Sequence, residues 1–383
     1  MTFKKKRSVR TVKLLRVVAD GFKGCAPGFT IDFVARSRRT PEDCEYELQE
    51  VAENLYVYNT LAIVGKNASG KTSAIELLDA CYTILGEFHL SGKPYRYEGA
   101  KLSIDFFHDG CIYRYQTILK DADAMATKAE FSEQRIWKKR YYKSKVKSVY
   151  DDAGFTLCKT PGGLPASMSE VFFILKKTAT YAVYFDSFGK GADTYQLTFA
   201  KMKDFDISPK ILEDIILIFD ENIRALSMAT DDHTFRVDFG DGEELVSDRE
   251  LFFRLSSGTT KGILLYILMV AALKEGFVLL VDEVENHFHK TLVENMLALF
   301  KDKSVNRARA ELVFTTHYCE LLDLFNRQDN IFVARATPRI QLANMYTDFD
   351  IRSELLKSRQ FYANAFETAV NYDALMRLKR DLL

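Results

Sequence analysis

The octapeptide Gly65-Lys66-Asn67-Ala68-Ser69-Gly70-Lys71-Thr72 follows the apolar run Leu61 to Val64 and precedes Ser73-Ala74-Ile75-Glu76-Leu77-Leu78. A strand, a glycine loop and a helix in that order require a βα unit whose helix N-terminus meets a phosphate group. Small residues let successive backbone N–H groups face a β-phosphate, so Gly65, Asn67, Ala68, Ser69 and Gly70, with Ser73 in the first helical turn, are the candidate nucleotide contacts. Lys71 can reach the β- and γ-phosphates, and the Thr72 hydroxyl can hold Mg²⁺.

A chain of 383 residues, 47% hydrophobic, is long enough for two domains or for one with a large insertion. Its 53 basic and 53 acidic residues cancel, so any affinity for nucleic acid or membrane must be local. Cys25, Cys44, Cys81, Cys111, Cys158 and Cys319 form no CxxC pair, which points to reduced thiols in a cytoplasm rather than disulfides or zinc. No secretory signal follows the basic cluster Lys4, Lys5, Lys6, Arg7 and Arg10, which reads as a solvated, frayed end. The longest apolar run, Ile263 to Leu273, falls short of the ~20 residues that span a bilayer and reads as a buried helix; no membrane is expected.

Thr11 to Asp20 and Phe29 to Ala35 read as strands around a glycine-rich break. Asp109-Gly110 between Leu102–Phe107 and Cys111–Leu119 signals a hairpin, and Gly240-Asp241-Gly242 signals another within Phe235 to Val246. Ser208-Pro209 opens a helix. The expected organisation is an N-terminal lobe over 1–120, an inserted helical and mixed region over 121–200, a C-terminal lobe over 201–335, and a tail over 336–383 that packs on the head or on a partner.

The strand Phe277 to Val281 ends in Asp282-Glu283, the form of a Walker B element: the first carboxylate supports Mg²⁺ and the second polarises the attacking water. Asp282 follows Lys71 by 211 residues, so a large segment intervenes. Just upstream stands Leu255-Ser256-Ser257-Gly258-Thr259, and downstream the apolar strand Glu311 to Thr315 leads to His317. This order resembles the head domain of ABC-type ATPases, whose signature Leu-Ser-Gly-Gly-Gln opens a helix leading into Walker B. Ser256, Gly258 and Thr259 stand at its second, fourth and fifth positions, while Ser257 replaces the usual first glycine and Thr259 the glutamine. The opening strand, Gly21-Phe22-Lys23 and the stretch Asp282 to His289 resemble the SMC, RecF and OLD-like branch, including stand-alone ATPases of bacterial anti-phage systems.

The resemblance implies an α/β P-loop NTPase of the ABC-ATPase head type, with an N-terminal antiparallel β-rich subdomain and a mixed parallel core sheet flanked by helices. It implies ATP and Mg²⁺ as ligands, with Thr72 and Asp282 at the metal, Glu283 activating water, Lys71 on the phosphates and His317 sensing the γ-phosphate. Ser256, Gly258 and Thr259 would close over ATP from a second copy, giving a homodimer or higher homo-oligomer through shared sites. No Q-loop glutamine is assigned, since Gln116 lies on a hairpin strand. Only 66 residues follow His317, too few for a nuclease domain with its own sheet, so the effector, a nuclease or toxin, is expected on another polypeptide. Two other functions compete: an ATPase acting directly on DNA in repair or chromosome maintenance, and an ATP-stabilised scaffold with little turnover. Long heptad arms, which would favour the former, are missing between Asp121 and Thr198.

Arg135 to Lys147 interleaves seven basic residues with Trp137, Tyr141 and Tyr142. It reads either as a solvated helical face or as a contact for nucleic acid or another charged partner. His287 and His289 supply too few ligands for a metal. Asn326-Arg327-Gln328-Asp329 echoes a guanine-reading element faintly, but its arginine departs from that pattern and ATP is preferred.

Overall fold

A computed structural model of the chain describes residues 12–91, 96–122, 128–175, 180–186, 194–229, 233–286, 289–336, 338–351, 355–366 and 372–382. The basic cluster Lys4 to Arg10 and His287 lie outside the described residues. The chain divides into two compact units, one running to Tyr181 and resuming at Thr315, the other spanning Ala182–Phe314.

In the first unit β1 (Lys13–Asp20) and β2 (Phe29–Asp32) pair antiparallel, as do β3 (Leu48–Ala52) and β4 (Leu55–Tyr58). The strand β5 (Thr60–Val64) is buried along its whole length and runs into the glycine loop and α1 (Lys71–Glu87). Then β6 (Lys101–His108) and β7 (Cys111–Asp121) form the expected hairpin: Asp109 (φ 50°) and Gly110 (φ 73°) are both left-handed, as a two-residue turn matching strand twist demands. With β8 (Ala129–Arg140) and β9 (Thr156–Leu157) they build an antiparallel sheet in the order β2-β1-β6-β7-β8-β9. Asp105, buried at the sheet's centre, is compensated by Arg16 at 2.7 Å and Arg114 at 2.7 Å. A short helix α2 (Phe172–Leu175) follows.

The strand β8 differs from the expected helical or loosely mixed segment, and the basic stretch Arg135–Arg140 is its C-terminal half rather than a helical face. Phe131 and Ile136 are both buried although five residues apart, which is out of phase for strict alternation. A bulge reconciles them: Gln116 and Ile118 of β7 face Arg135 and Ser132, so β8 carries one extra residue, and Glu133 takes φ 49°.

In the second unit β10 (Ala182–Asp186), α3 (Thr194–Asp204) and α4 (Pro209–Phe219) come first, the last opened by Ser208 with Pro209 at its start. A three-stranded antiparallel sheet of β11 (Ala225–Met228), β12 (Thr234–Asp238) and β13 (Glu243–Ser247) includes the second expected hairpin. After α5 (Asp248–Arg254) comes α6 (Ser257–Glu275), 19 residues with mean hydropathy 1.2, long and apolar enough by composition to cross a membrane. It is 67% buried within the protein, which makes it a core helix. The strand β14 (Val278–Asp282), α7 (Lys290–Lys301) and the part of β15 (Glu311–Thr316) up to Phe314 complete the unit, with β10, β14 and β15 in parallel register; Thr315 and Thr316 belong to the first unit.

Back in the first unit, β16 (Ile331–Ala336) pairs parallel with β5 and antiparallel with β17 (Ile340–Asn344). The tail supplies α8 (Lys357–Tyr362) and α9 (Tyr372–Asp381). The first of these packs on its own unit: Lys357 is buried and donates to the Phe325 carbonyl at 2.7 Å, and Phe366 is buried edge-on to Phe349.

Candidate functional site

The glycine loop leaves β5 under tight steric control. A Cβ on Gly65 would lie 2.5 Å from Ser69 Oγ and 2.8 Å from the Ala334 carbonyl oxygen; one on Gly70, at φ +94°, would lie 2.2 Å from Ile340 Cγ2. The strands β16 and β17 thus press on the loop, and no larger residue fits at either position. Ala68 is also left-handed (φ 59°).

Gly70 is the N-cap of α1 and provides no side-chain cap, so the helix start keeps its outward N–H groups and positive dipole end for an anion. The Ser69 hydroxyl is buried without a hydrogen-bond partner. An orphaned donor, a glycine cradle and an uncapped helix start are what a polyphosphate needs, so the residues present fit ATP. Thr72 is exposed in the first turn of α1.

Lys71 is only 4% exposed and donates to the carbonyls of Gly65 (3.1 Å) and Lys66 (3.2 Å). Both ring nitrogens of His317 lie 3.2 Å from its Nζ, although the two residues are 246 apart in sequence. The end of β15 therefore brings the predicted switch histidine to the P-loop lysine.

In the second unit β14 is buried throughout and ends at Asp282, itself 4% exposed. Glu283 follows in a left-handed conformation (φ 49°), a strained position for a residue other than glycine. Its Oε2 accepts from Asn286 Nδ2 at 2.6 Å, which aims the carboxylate. Parallel register sets Asp186 beside Asp282, so two carboxylates end neighbouring strands at the side where α/β sheets bind ligands. Asp186 was not anticipated; the apolar run Ala182–Phe185 ending in Asp was its only sequence signal.

Ser256 is the N-cap of α6, exposed, with its Oγ accepting from the Thr259 N–H at 3.0 Å and 2.9 Å from Thr259 Oγ1. Gly258 lies in the same first turn. His289 likewise caps α7, accepting from the Thr291 N–H. Arg327 is buried and spends its guanidinium on Asp329, Asp43 and Ser37, so Asn326 to Asp329 is an internal clamp rather than a base-reading element. Gln116 sits in the antiparallel sheet against Ser103.

A buried strand, a glycine loop and a helix, with a carboxylate-ended parallel strand elsewhere in the chain, define an α/β P-loop NTPase. A family profile described as "AAA domain, putative AbiEii toxin, Type IV TA system" matches residues 61–323, and the chain belongs to that family. No curated protein matches it. Among solved structures, the chain is similar to an SMC head domain from Thermotoga maritima, with 13% identity over 87% of this chain and 98% of that one and a TM-score of 0.40. It is similar as well to an SMC head bound to the C-winged helix domain of ScpA (11% identity, 88% and 98% covered, TM-score 0.45). A third likeness is to the recombination mediator RecF with ATP (10% identity, 87% and 100% covered, TM-score 0.36).

Proposed function

We propose that this chain is an ATP-hydrolysing subunit, acting in the cytoplasm, that closes as a homodimer or higher homo-oligomer around shared ATP and Mg²⁺. Closure gates a separate effector, a nuclease or toxin, in anti-phage defence. The observation that carries this reading is Ser256, a solvent-exposed N-cap at the start of a long core helix, able to offer its helix N-terminus to a phosphate held by another copy. The family description, which names a toxin–antitoxin system, supports a two-component arrangement.

In this reading Lys71 binds and orients the phosphates, Thr72 and Asp282 are the residues that would hold Mg²⁺, and Glu283 takes a proton from water. His317, with both ring nitrogens 3.2 Å from the Lys71 Nζ, reports in this reading whether the lysine has moved to a phosphate. Mg²⁺ supplies charge neutralisation at the phosphate oxygens when bound.

Glu283→Gln keeps size and the Asn286 contact but cannot accept a proton. Turnover is expected to fall about 10²- to 10⁴-fold, and light scattering with ATP and Mg²⁺ is expected to give the mass of a dimer. A monomer mass with unchanged turnover would remove both the shared site and Glu283's role. The reading in which the ATPase acts directly on DNA is favoured by one observation, the cationic cavity described next.

A further inference from the structure

The basic segment does not act as one patch. Lys143 is paired with Glu53 at 2.6 Å, Lys138 lies 5.4 Å from the Tyr113 ring centroid, and Arg135 lines a different cavity beside Gln116. What remains is concentrated. Lys139 and Arg140 end β8, and the chain turns back through a 3₁₀ turn at Lys143–Ser148, so that Lys145 lines the same cavity of about 310 Å³.

Among the described residues Lys139 donates to two carbonyl oxygens, those of Ser148 (3.1 Å) and Asp151 (2.8 Å). Burial, and after it the charge of Arg114, push its pKa down despite Asp151, Asp105 and Asp152 nearby. The side chains of Arg140 and Lys145 have no ion-pair or hydrogen-bond partner among the described residues. Among the described residues of the lining Asp151 is the one acid, which sets three cations against one carboxylate.

The two tyrosines at the rim differ. Tyr141 is fixed, its ring edge-on to Phe107 and its hydroxyl donating to the Glu53 carbonyl at 2.8 Å. Tyr142 is 54% exposed. A free aromatic ring beside unneutralised cations matches an unstacked base joined to a phosphodiester, because a base within a duplex offers no open face.

We propose that this cavity binds the backbone of a single-stranded nucleic acid, with Arg140 and Lys145 on phosphate oxygens and Tyr142 stacked on a base. The site is independent of the ATP reading, and its test is run without ATP. The intact protein is titrated into a fluorescein-labelled oligothymidylate of about 20 nucleotides, and anisotropy is followed across a salt series.

The double variant Arg140→Gln/Lys145→Gln is expected to bind at least about tenfold more weakly, with a log–log salt slope shallower by about 1.4. Tyr142→Ala is expected to lose about tenfold at every salt concentration with the slope unchanged. Arg135→Gln/Lys138→Gln should stay within about twofold of wild type. Wild-type affinity and slope in the Arg140/Lys145 double variant would overturn the proposal, as would absence of wild-type binding at low salt. Displacement of the strand by inorganic phosphate at equal phosphate concentration would identify a free anion as the ligand and overturn the strand. Tighter binding of a duplex would overturn the stacked, single-stranded form.

Discussion

Lys71→Met is expected to lower ATP turnover by about 10²- to 10³-fold, the usual cost of removing one preorganised donor from a site of developing charge. Methionine keeps the buried alkyl stem and removes only the ammonium. In the wild-type protein that ammonium rests on the Gly65 and Lys66 carbonyls and beside His317, already stripped of most water. Exchanging those carbonyls for phosphate oxygens therefore costs little further desolvation, and the partner gained is charged. The same variant is expected to retain its fold, checked by thermal melting. Turnover within twofold of wild type would remove Lys71 from the mechanism, and with it the reading of the glycine loop.

Arg327→Met is expected to destabilise the protein by about 3–5 kcal/mol, because it leaves buried carboxylates without their cation. Arg327 donates to Asp329 at 2.8 and 2.6 Å, to Asp43 at 2.9 Å and to Ser37 Oγ at 2.6 Å. Asp329 also accepts the N–H groups of Arg36 (2.8 Å) and Ser37 (2.7 Å), so one residue pair ties the loop after β2 to the start of β16. Burial alone would raise the Asp329 pKa; Arg327 and the two N–H groups outweigh it and hold the carboxyl below its ordinary value. A folded pKa below the unfolded one gives stability that is present above about pH 4 and lost as pH falls through the folded value. The deficit of Asp329→Asn against wild type, from chemical denaturation, should therefore be constant between about pH 5 and 8 and shrink toward pH 3. A deficit that grows on acidification would contradict this electrostatic account.

How legible these features were in sequence depends on whether a short pattern carried them. The P-loop, its helix start at Lys71, the Asp109-Gly110 turn and the Ser208-Pro209 helix start each rest on a few adjacent residues with fixed backbone demands, and each stands where it was expected. The bulge in β8 hid a strand because one inserted residue breaks the two-residue period that reveals strands. The Arg327 clamp was hidden because its partners Ser37 and Asp43 are almost 300 residues away, and burial of an arginine leaves no local mark. Ala334 and Ile340 escaped notice for a related reason: they shape the loop by occupying space, and their own residue types carry no chemistry.

The central claim is that Lys71 of one copy works with Ser256 of another. Ser256→Asp keeps an N-cap acceptor for Thr259 while setting a negative charge against an incoming phosphate, so it should fold and be inactive. Lys71→Met should be inactive through the other half of the site. Mixed in equal amounts with ATP and Mg²⁺, the two variants are expected to recover about a quarter of wild-type turnover, since half the dimers would be mixed and each would hold one intact site. A mixture no more active than the average of its two components would contradict the shared site.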